Sequence, residues 1–335
     1  MSFVRNRAIV FAYIGLAVLV ALTATISPGL LRPSHVGTLL ILASFIGIVA
    51  VGQTFVILSG GIDLSIPWVL TSAAILLTKF CGGSDAALAW AAPTVLLGGC
   101  AVGAINGVGI AIFDVPPIIM TLAVNVVIQG LILVDTSGAP TASAPSLVQF
   151  SAVGYVGPLP VALLVWAVLA LAASVILSKT ALGRYLYALG SNKIVARFSG
   201  VPVIFMTIIP YVLSGFTAAM AGILLTGYSG QAYLGMGDPY LFTSIAAVAI
   251  GGASVLGGSG HYVGTLAGAS VLTLLTSLLS TLNLSNGALL LVYGLVILLT
   301  ISLSSEEWGN VIRRLPKNQS ERDADSVVHS EDRTL

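Results

Sequence analysis

The chain has 335 residues, 57% of them hydrophobic and only 7% charged, with a formal net charge of +1. Soluble domains carry roughly 25% charged residues, so this composition excludes a soluble globular protein and points to an integral membrane protein. The net charge says nothing about partners, because the charges are segregated: no Glu precedes Glu306, and the basic residues fall in a few clusters.

A helical span needs about 20 mainly apolar residues. Read with that ruler, the chain predicts an all-α membrane protein of about ten spans. The first is Ala8–Ile26, behind Arg5 and Arg7, too long an apolar run for a signal peptide and read as a retained helix. Val36–Leu58 follows, ending at Ser59-Gly60-Gly61, and then the short Leu64–Thr78 with Pro67 near its start. Ala86–Phe113 is long and glycine-rich, and Pro116–Val134 opens on two prolines, as a first helical turn tolerates. Asp135–Pro158 is polar and reads as a loop. Leu159–Leu177 leads into the basic stretch 178–202, and Val203–Tyr228 leaves it. Tyr240–Leu256 is short again, behind Asp238-Pro239, and His261–Leu282 and Gly287–Leu303 complete the set before a polar tail from Ser304.

Stretch 178–202 carries Lys179, Arg184, Lys193 and Arg197 and no acid, and these are the only cations between Lys79 and Ser305. Lys and Arg favour the cytoplasmic side of a membrane. With both termini inside, residues 1–7, 178–202 and the tail 304–335 share the cytoplasm around a membrane domain of residues 8–303. Of the 13 Lys and Arg, only Arg32 and Lys79 then fall outside, both near helix ends.

Gly99, Gly103 and Gly107 recur every fourth residue in the fourth span, and Gly260, Gly264 and Gly268 repeat that spacing around the ninth. Small residues at that spacing let membrane helices approach closely. The third and eighth spans are the two short ones, each with an acid and a proline at its start. Spans 2–5 and 7–10 are therefore expected to form an inverted repeat, a pattern that accompanies translocation paths.

Several chemistries lack their residues. The chain contains no Gly-Lys pair, so the phosphate-binding loop G-x-x-x-x-G-K-[ST] cannot be written. His35, His261 and His329 are scattered, and Cys81 and Cys100 lie in different contexts, which leaves no metal-ligand spacing and no expected disulfide. Asp63 has no second intramembrane carboxylate to share a proton with, and Ser59 and Ser65 lack a basic partner, which argues against an enzyme. Asp63 has two readings: a cap for the third span, or a group acting on solute or gate. Thr121, Asn125 and Gln129 share one face of the fifth span, and Asn106 is a further amide in the fourth. Such side chains either tie helices together or line a wet path suited to a neutral, hydroxyl-rich solute.

The run Val51–Ser65 (VGQTFVILSGGIDLS) resembles the signature of the ribose-type monosaccharide permeases of ABC importers. Gly103–Leu122, Thr180–Gly200, Ile245–Gly258 and Gly260–Gly268 resemble the same family in the same order. The resemblance implies a ten-helix permease that pairs with a second permease subunit, docks a cytoplasmic ATPase and receives solute from a periplasmic binding protein in a bacterial inner membrane. It implies no cofactor on this chain, ATP and magnesium being used by the partner. The ATPase-coupling pattern of the family is met by Gly183, Arg184, Tyr187, Gly190, Asn192 and Gly200, with Arg197 in the same segment. Two departures stand out: Lys193-Ile194 where the family has acids, and Leu241–Ser244 where it often has two carboxylates. A secondary transporter of a small neutral solute is the alternative reading.

Overall fold

The computed structural model describes residues 2–140, 142–282 and positions 287, 288, 291, 294, 295 and 298. Most of the expected span Gly287–Leu303, and the tail from Ser304, lie outside the described residues. The remainder is nearly all helix: α1 (Ser2–Ile26), α2 (Pro33–Leu58), α3 (Ile66–Cys81), α4 (Leu88–Ile112), α5 (Pro117–Thr136), α6 (Ser146–Val153), α7 (Val161–Lys179), α8 (Ala181–Ser191), α9 (Lys193–Phe198), α10 (Val203–Ser229), α11 (Pro239–Ile250) and α12 (Tyr262–Thr281).

Among the described residues, seven helices are long and apolar enough to cross a membrane, and α3 and α11 are apolar but shorter. The helix starts follow proline chemistry: Pro33, Pro67, Pro117 and Pro239 stand in first turns, where the missing N–H has no intrahelical acceptor to lose. Left-handed residues close α3 at Gly82, α5 at Ser137 and α10 at Gly230.

Two expectations are corrected. The eighth span ends at Ile250 rather than Leu256, because residues 251–261 hold glycines at positive φ (Gly252 at 81°, Gly257 at 94°, Gly258 at 71°) that a right-handed helix cannot use. Gly260 therefore precedes α12, at φ 133°, and shares no helix face with Gly264 and Gly268. The polar stretch 135–158 contains α6 and the first strand of a small hairpin, β1 (Tyr155–Val156), which pairs with β2 (Leu159–Pro160) just beyond it.

Helix α10 is the hub, packing on α4, α2 and α3, and α2 in turn packs on α12, α7 and α11. Contact is close where the glycines predicted it. A methyl added at Gly99 or Gly103 would run into backbone of Gly215 or Tyr211 on α10, and one at Gly107 would lie 2.7 Å from the Ile208 Cα. Gly264 and Gly268 stand likewise against Gly251 and Ala247. Deeper in, the Trp166 indole N–H donates to the Tyr262 hydroxyl (2.7 Å), which donates to the Gly47 carbonyl (2.7 Å), tying α7, α12 and α2. By contrast α1 and α5 expose nearly all of their apolar surface.

The bundle has two chemically distinct ends. At one lie residues 59–61, 114–117, 189–193 and 256. At the other, Lys79 pairs with Asp135 (2.5 Å), Asp85 accepts from Ser146 and from the Leu147 N–H (2.9 Å), and Ser143 bridges to Gln231. The first will be called the basic end.

Volume added inside a closely packed interface costs about 1–3 kcal/mol or more. Gly103→Leu is expected to lower thermal stability and the yield of folded protein. Gly98→Leu, on the same helix with nothing within 4 Å of an added Cβ, is expected to do neither. Thermal unfolding of both purified variants in detergent checks the contrast.

Candidate functional site

Two groups of side chains have the chemistry of a site, one buried in the bundle and one at its basic end. The buried group is built where the chain leaves α2 and re-enters the bundle at α3. Residues 59–65 are not helical, so their backbone groups need partners inside the protein. Asp63, 1% exposed, supplies one: its Oδ1 accepts from the Ser65 N–H (2.9 Å) and the Ser65 hydroxyl (2.6 Å). The capping position of α3 is Ser65, not Asp63, so the carboxylate braces the turn before the helix rather than capping it. Asn106 on α4 joins in, its NH2 donating to the Ser65 hydroxyl at 2.9 Å.

Helix α5 completes this entry. The Thr121 hydroxyl accepts from the Leu64 N–H (3.0 Å) and donates to the Pro117 carbonyl (2.8 Å). The Asn125 carbonyl accepts from the Trp68 N–H at 3.3 Å, one of the N–H groups that a helix start leaves without an intrahelical acceptor. The stripe on α5 thus holds α3 in place through two of its three members, and the third, Gln129, is half-buried on the same helix. Asn125 is half-buried too, among the exposed Leu122, Val126 and Val127.

Sequence reasoning overlooked the polar groups that line up with Asp63. Tyr211 and Ser214 on α10 are fully buried and lie near the Asp63 carboxylate. Their oxygens, Asp63 Oδ2, Asn106 Oδ1 and both amide atoms of Gln53 find no hydrogen-bond partner among the described residues. A Tyr and a Ser three residues apart on a helix face one way, and that spacing was the available signal. Nothing else in an apolar span marked them.

At the basic end a cleft of about 430 Å³ lies between Gly60 and Gly61, Asp114 in the α4–α5 turn, Gly190 and Lys193 at the α8–α9 junction, and Tyr211. Helices α8 and α9 occupy the basic stretch. Thr180 caps α8 by accepting from the Gly183 N–H (3.3 Å), and Asn192 caps α9 by accepting from the N–H groups of Ile194 and Val195, both 3.0 Å. Gly200, at φ 80°, ends the segment.

The expected coupling residues divide by direction. Gly183 and Gly190 face the bundle, the first against Leu177 and the second against Leu58 and Gly258. The Tyr187 hydroxyl donates inward to the Gly260 carbonyl at 2.8 Å. Arg184 and Arg197 are exposed, beside the exposed apolar Tyr185, Ile194 and Phe198. Lys193, the departure from the family pattern, pairs with Asp114 at 3.1 Å. Both partners are exposed, so the pair contributes about 1 kcal/mol at most. At the other departure Thr243 and Ser244 are buried, and each hydroxyl bonds a carbonyl of its own helix: Pro239 (2.8 Å) and Leu241 (2.9 Å).

The profile of the family described as branched-chain amino acid transport system / permease component matches residues 36–301. This chain belongs to that family. It is a multi-pass membrane permease component, a transport protein and not an enzyme. The ribose import permease protein of Escherichia coli (strain K12) is 37% identical over 298 residues, 88% of this chain and 92% of the relative. That of Bacillus subtilis (strain 168) is 36% identical over 303 residues, again 88% and 92%. The D-allose transport system permease protein of Escherichia coli (strain K12) is 31% identical over 291 residues, 86% of this chain and 89% of the relative. No solved structure matches the chain.

The Asp63 geometry yields a prediction. Two hydrogen bonds to one oxygen hold the turn, and an amide oxygen can accept both. Asp63→Asn is expected to keep most of the stability of the permease, whereas Asp63→Leu should lose about 1–3 kcal/mol by leaving buried donors unsatisfied. Equal losses in thermal unfolding of the two variants would show instead that the negative charge is the requirement.

Proposed function

We propose that this chain is the membrane-spanning subunit of an ATP-driven ABC importer for a monosaccharide, working with a second permease subunit, a cytoplasmic ATPase and a periplasmic solute-binding protein. The observation that carries the reading is the α8–α9 segment. It presents Arg184 and Arg197 outward on a folded, capped platform, in a family of transport permeases and on a chain without a phosphate-binding loop. An ATP-driven transport component without that loop needs a partner that carries it, and this surface has the charge and exposure to receive one.

The basic end is then cytoplasmic, in line with the placement of Lys and Arg. Both termini lie on that side in the inner membrane, with residues 1–7 and 304–335 flanking a membrane domain of 8–303. The inverted repeat of spans 2–5 and 7–10 draws support from reciprocal packing. Helix α10 packs on α3 and α4, while α2 packs on α11 and α12, and α2 and α10 pack on each other.

The path of the solute runs along α5, at the axis between two permease subunits. Helix α5 leaves most of its apolar surface uncovered within one chain, and Asn125 and Gln129 are half-buried there. Asp63, Thr121 and Asn106 support that path by holding the entry of α3 rather than by meeting solute. A neutral sugar asks for amides and hydroxyls and not for carboxylates. Selectivity rests with the external binding protein, so the path needs no tight site. The relatives that import ribose and allose make a pentose or hexose the solute of choice.

Proteoliposomes carrying the permease with a co-expressed ribose-type ATPase and binding protein are expected to take up labelled D-ribose or D-allose only when ATP is inside or outside on the ATPase face. Uptake that continues without the ATPase would establish the secondary-transporter reading instead. Arg184→Glu with Arg197→Glu should reduce co-purification of the ATPase severalfold while leaving the permease folded. For the path, a cysteine at Asn125 is expected to react with water-soluble thiol reagents in at least one nucleotide state. Protection in every state would remove α5 from the path.

A further inference from the structure

Among the contacts of α8 with the bundle, one near its tip joins three backbone segments. The Tyr187 hydroxyl donates to the Gly260 carbonyl (2.8 Å), in the segment between α11 and α12. The Gly258 N–H donates to the Leu58 carbonyl (3.1 Å), which links that segment to the end of α2. Gly190 closes the triangle: a methyl there would strike the Leu58 carbonyl and lie 2.6 Å from the Gly258 nitrogen. Around it, a Cβ on Gly257 would lie 2.8 Å from the Gly60 Cα and 3.0 Å from the Gly190 carbonyl, and one on Gly258 would lie 2.8 Å from the Ser191 nitrogen. The atoms nearest these added carbons are backbone except for the Ser191 hydroxyl, so little can yield when one segment moves.

The positions of these segments give the junction its meaning. Residues 58–60 open the irregular stretch that enters α3, and residues 257–260 belong to the stretch that leaves α11. One contact therefore reaches the basic-end connections of both short helices. Backbone packed on backbone transmits displacement stiffly, because interiors at this density have little room to absorb strain.

Resting on the reading of α8–α9 as the ATPase-docking segment, we propose that Tyr187 and Gly190 are positioning residues whose junction with Leu58–Gly60 and Gly257–Gly260 carries movement of α8 to α3 and α11 together. The outward arginines receive the partner, and the inward tyrosine and glycine pass its motion on. The polar turn at Asp63, five residues beyond Leu58, moves with the first of these segments.

Amide hydrogen exchange of the permease–ATPase complex, with and without a non-hydrolysable ATP analogue, tests this. In the unmodified complex the analogue should change exchange at 187–191, 58–61 and 257–260 together. In Tyr187→Phe, which removes one hydroxyl and no volume, the change at 187–191 should persist. The change at the other two segments should fall about fivefold, the factor that one net hydrogen bond carries. Gly190→Ala, which forces the segments apart, should break the same transmission; if it does not assemble, Tyr187→Phe decides alone. Full transmission in Tyr187→Phe, or a response at 187–191 of the unmodified complex that never reaches 58–61 and 257–260, overturns the junction and leaves docking intact. No response at 187–191 at all overturns the docking reading and the junction with it.

Discussion

Inside a bilayer every backbone N–H and C=O must find its partner within the protein, and this requirement governs the structure more than any single contact does. The helices satisfy it themselves. The irregular stretches beside α3 and α11 cannot, and the polar chemistry of the chain concentrates on them. Leu64, Ser65 and Trp68 give their N–H groups to Thr121, Asp63 and Asn125. The Gly237 N–H, just before α11, donates to the Thr71 hydroxyl at 3.0 Å. Between α11 and α12 the Ser254 N–H donates to the Ser259 carbonyl (2.9 Å) and that of Gly258 to Leu58.

This explains why a membrane span rich in hydroxyls need not be a conduit. Thr54, Thr71 and Thr78 each return a hydrogen bond to the preceding turn of their own helix. What remains after the backbone is served is a short set: Gln53, Asn106 Oδ1, Asp63 Oδ2, Tyr211 and Ser214. Buried acceptors and hydroxyls of this kind are costly without partners.

The basic segment shows the same economy of roles. Gly183, Gly190 and Tyr187, which look like part of a docking motif in the sequence, are turned into the bundle, where close approach demands the two glycines, and Gly200 stays exposed and closes the segment. Asn192 serves as a helix cap. The cations and a few apolar neighbours face outward. A contiguous motif thus divides into a structural half and an exposed half, alternating along α8 and α9 at helical spacing. Lys193 belongs to neither: it turns sideways to Asp114, a residue in the left-handed region (φ 51°) at the turn into α5.

The sequence by itself determined the class of protein, most of its apolar helices, the basic stretch and the glycine face of α4, because composition, hydropathy and four-residue spacing are local quantities. Family membership was legible for the same reason, since its motifs are contiguous. Only the tertiary structure decided which way each polar residue faces. Asn125 and Thr121 read as either a tie between helices or a wet path, and both bond the backbone at the start of α3, some 57 residues away in sequence. Asp63 read as a cap, and Ser65 took that position. Gly260 read as part of a glycine face, and positive φ at Gly252, Gly257, Gly258 and Gly260 keeps this stretch out of the helices on either side. Tyr187 and Gly190 read as partner contacts, and they face Gly260 and Leu58 within the chain. Each of these outcomes turns on which distant backbone group lacked a partner, and one-dimensional spacing carries no record of that.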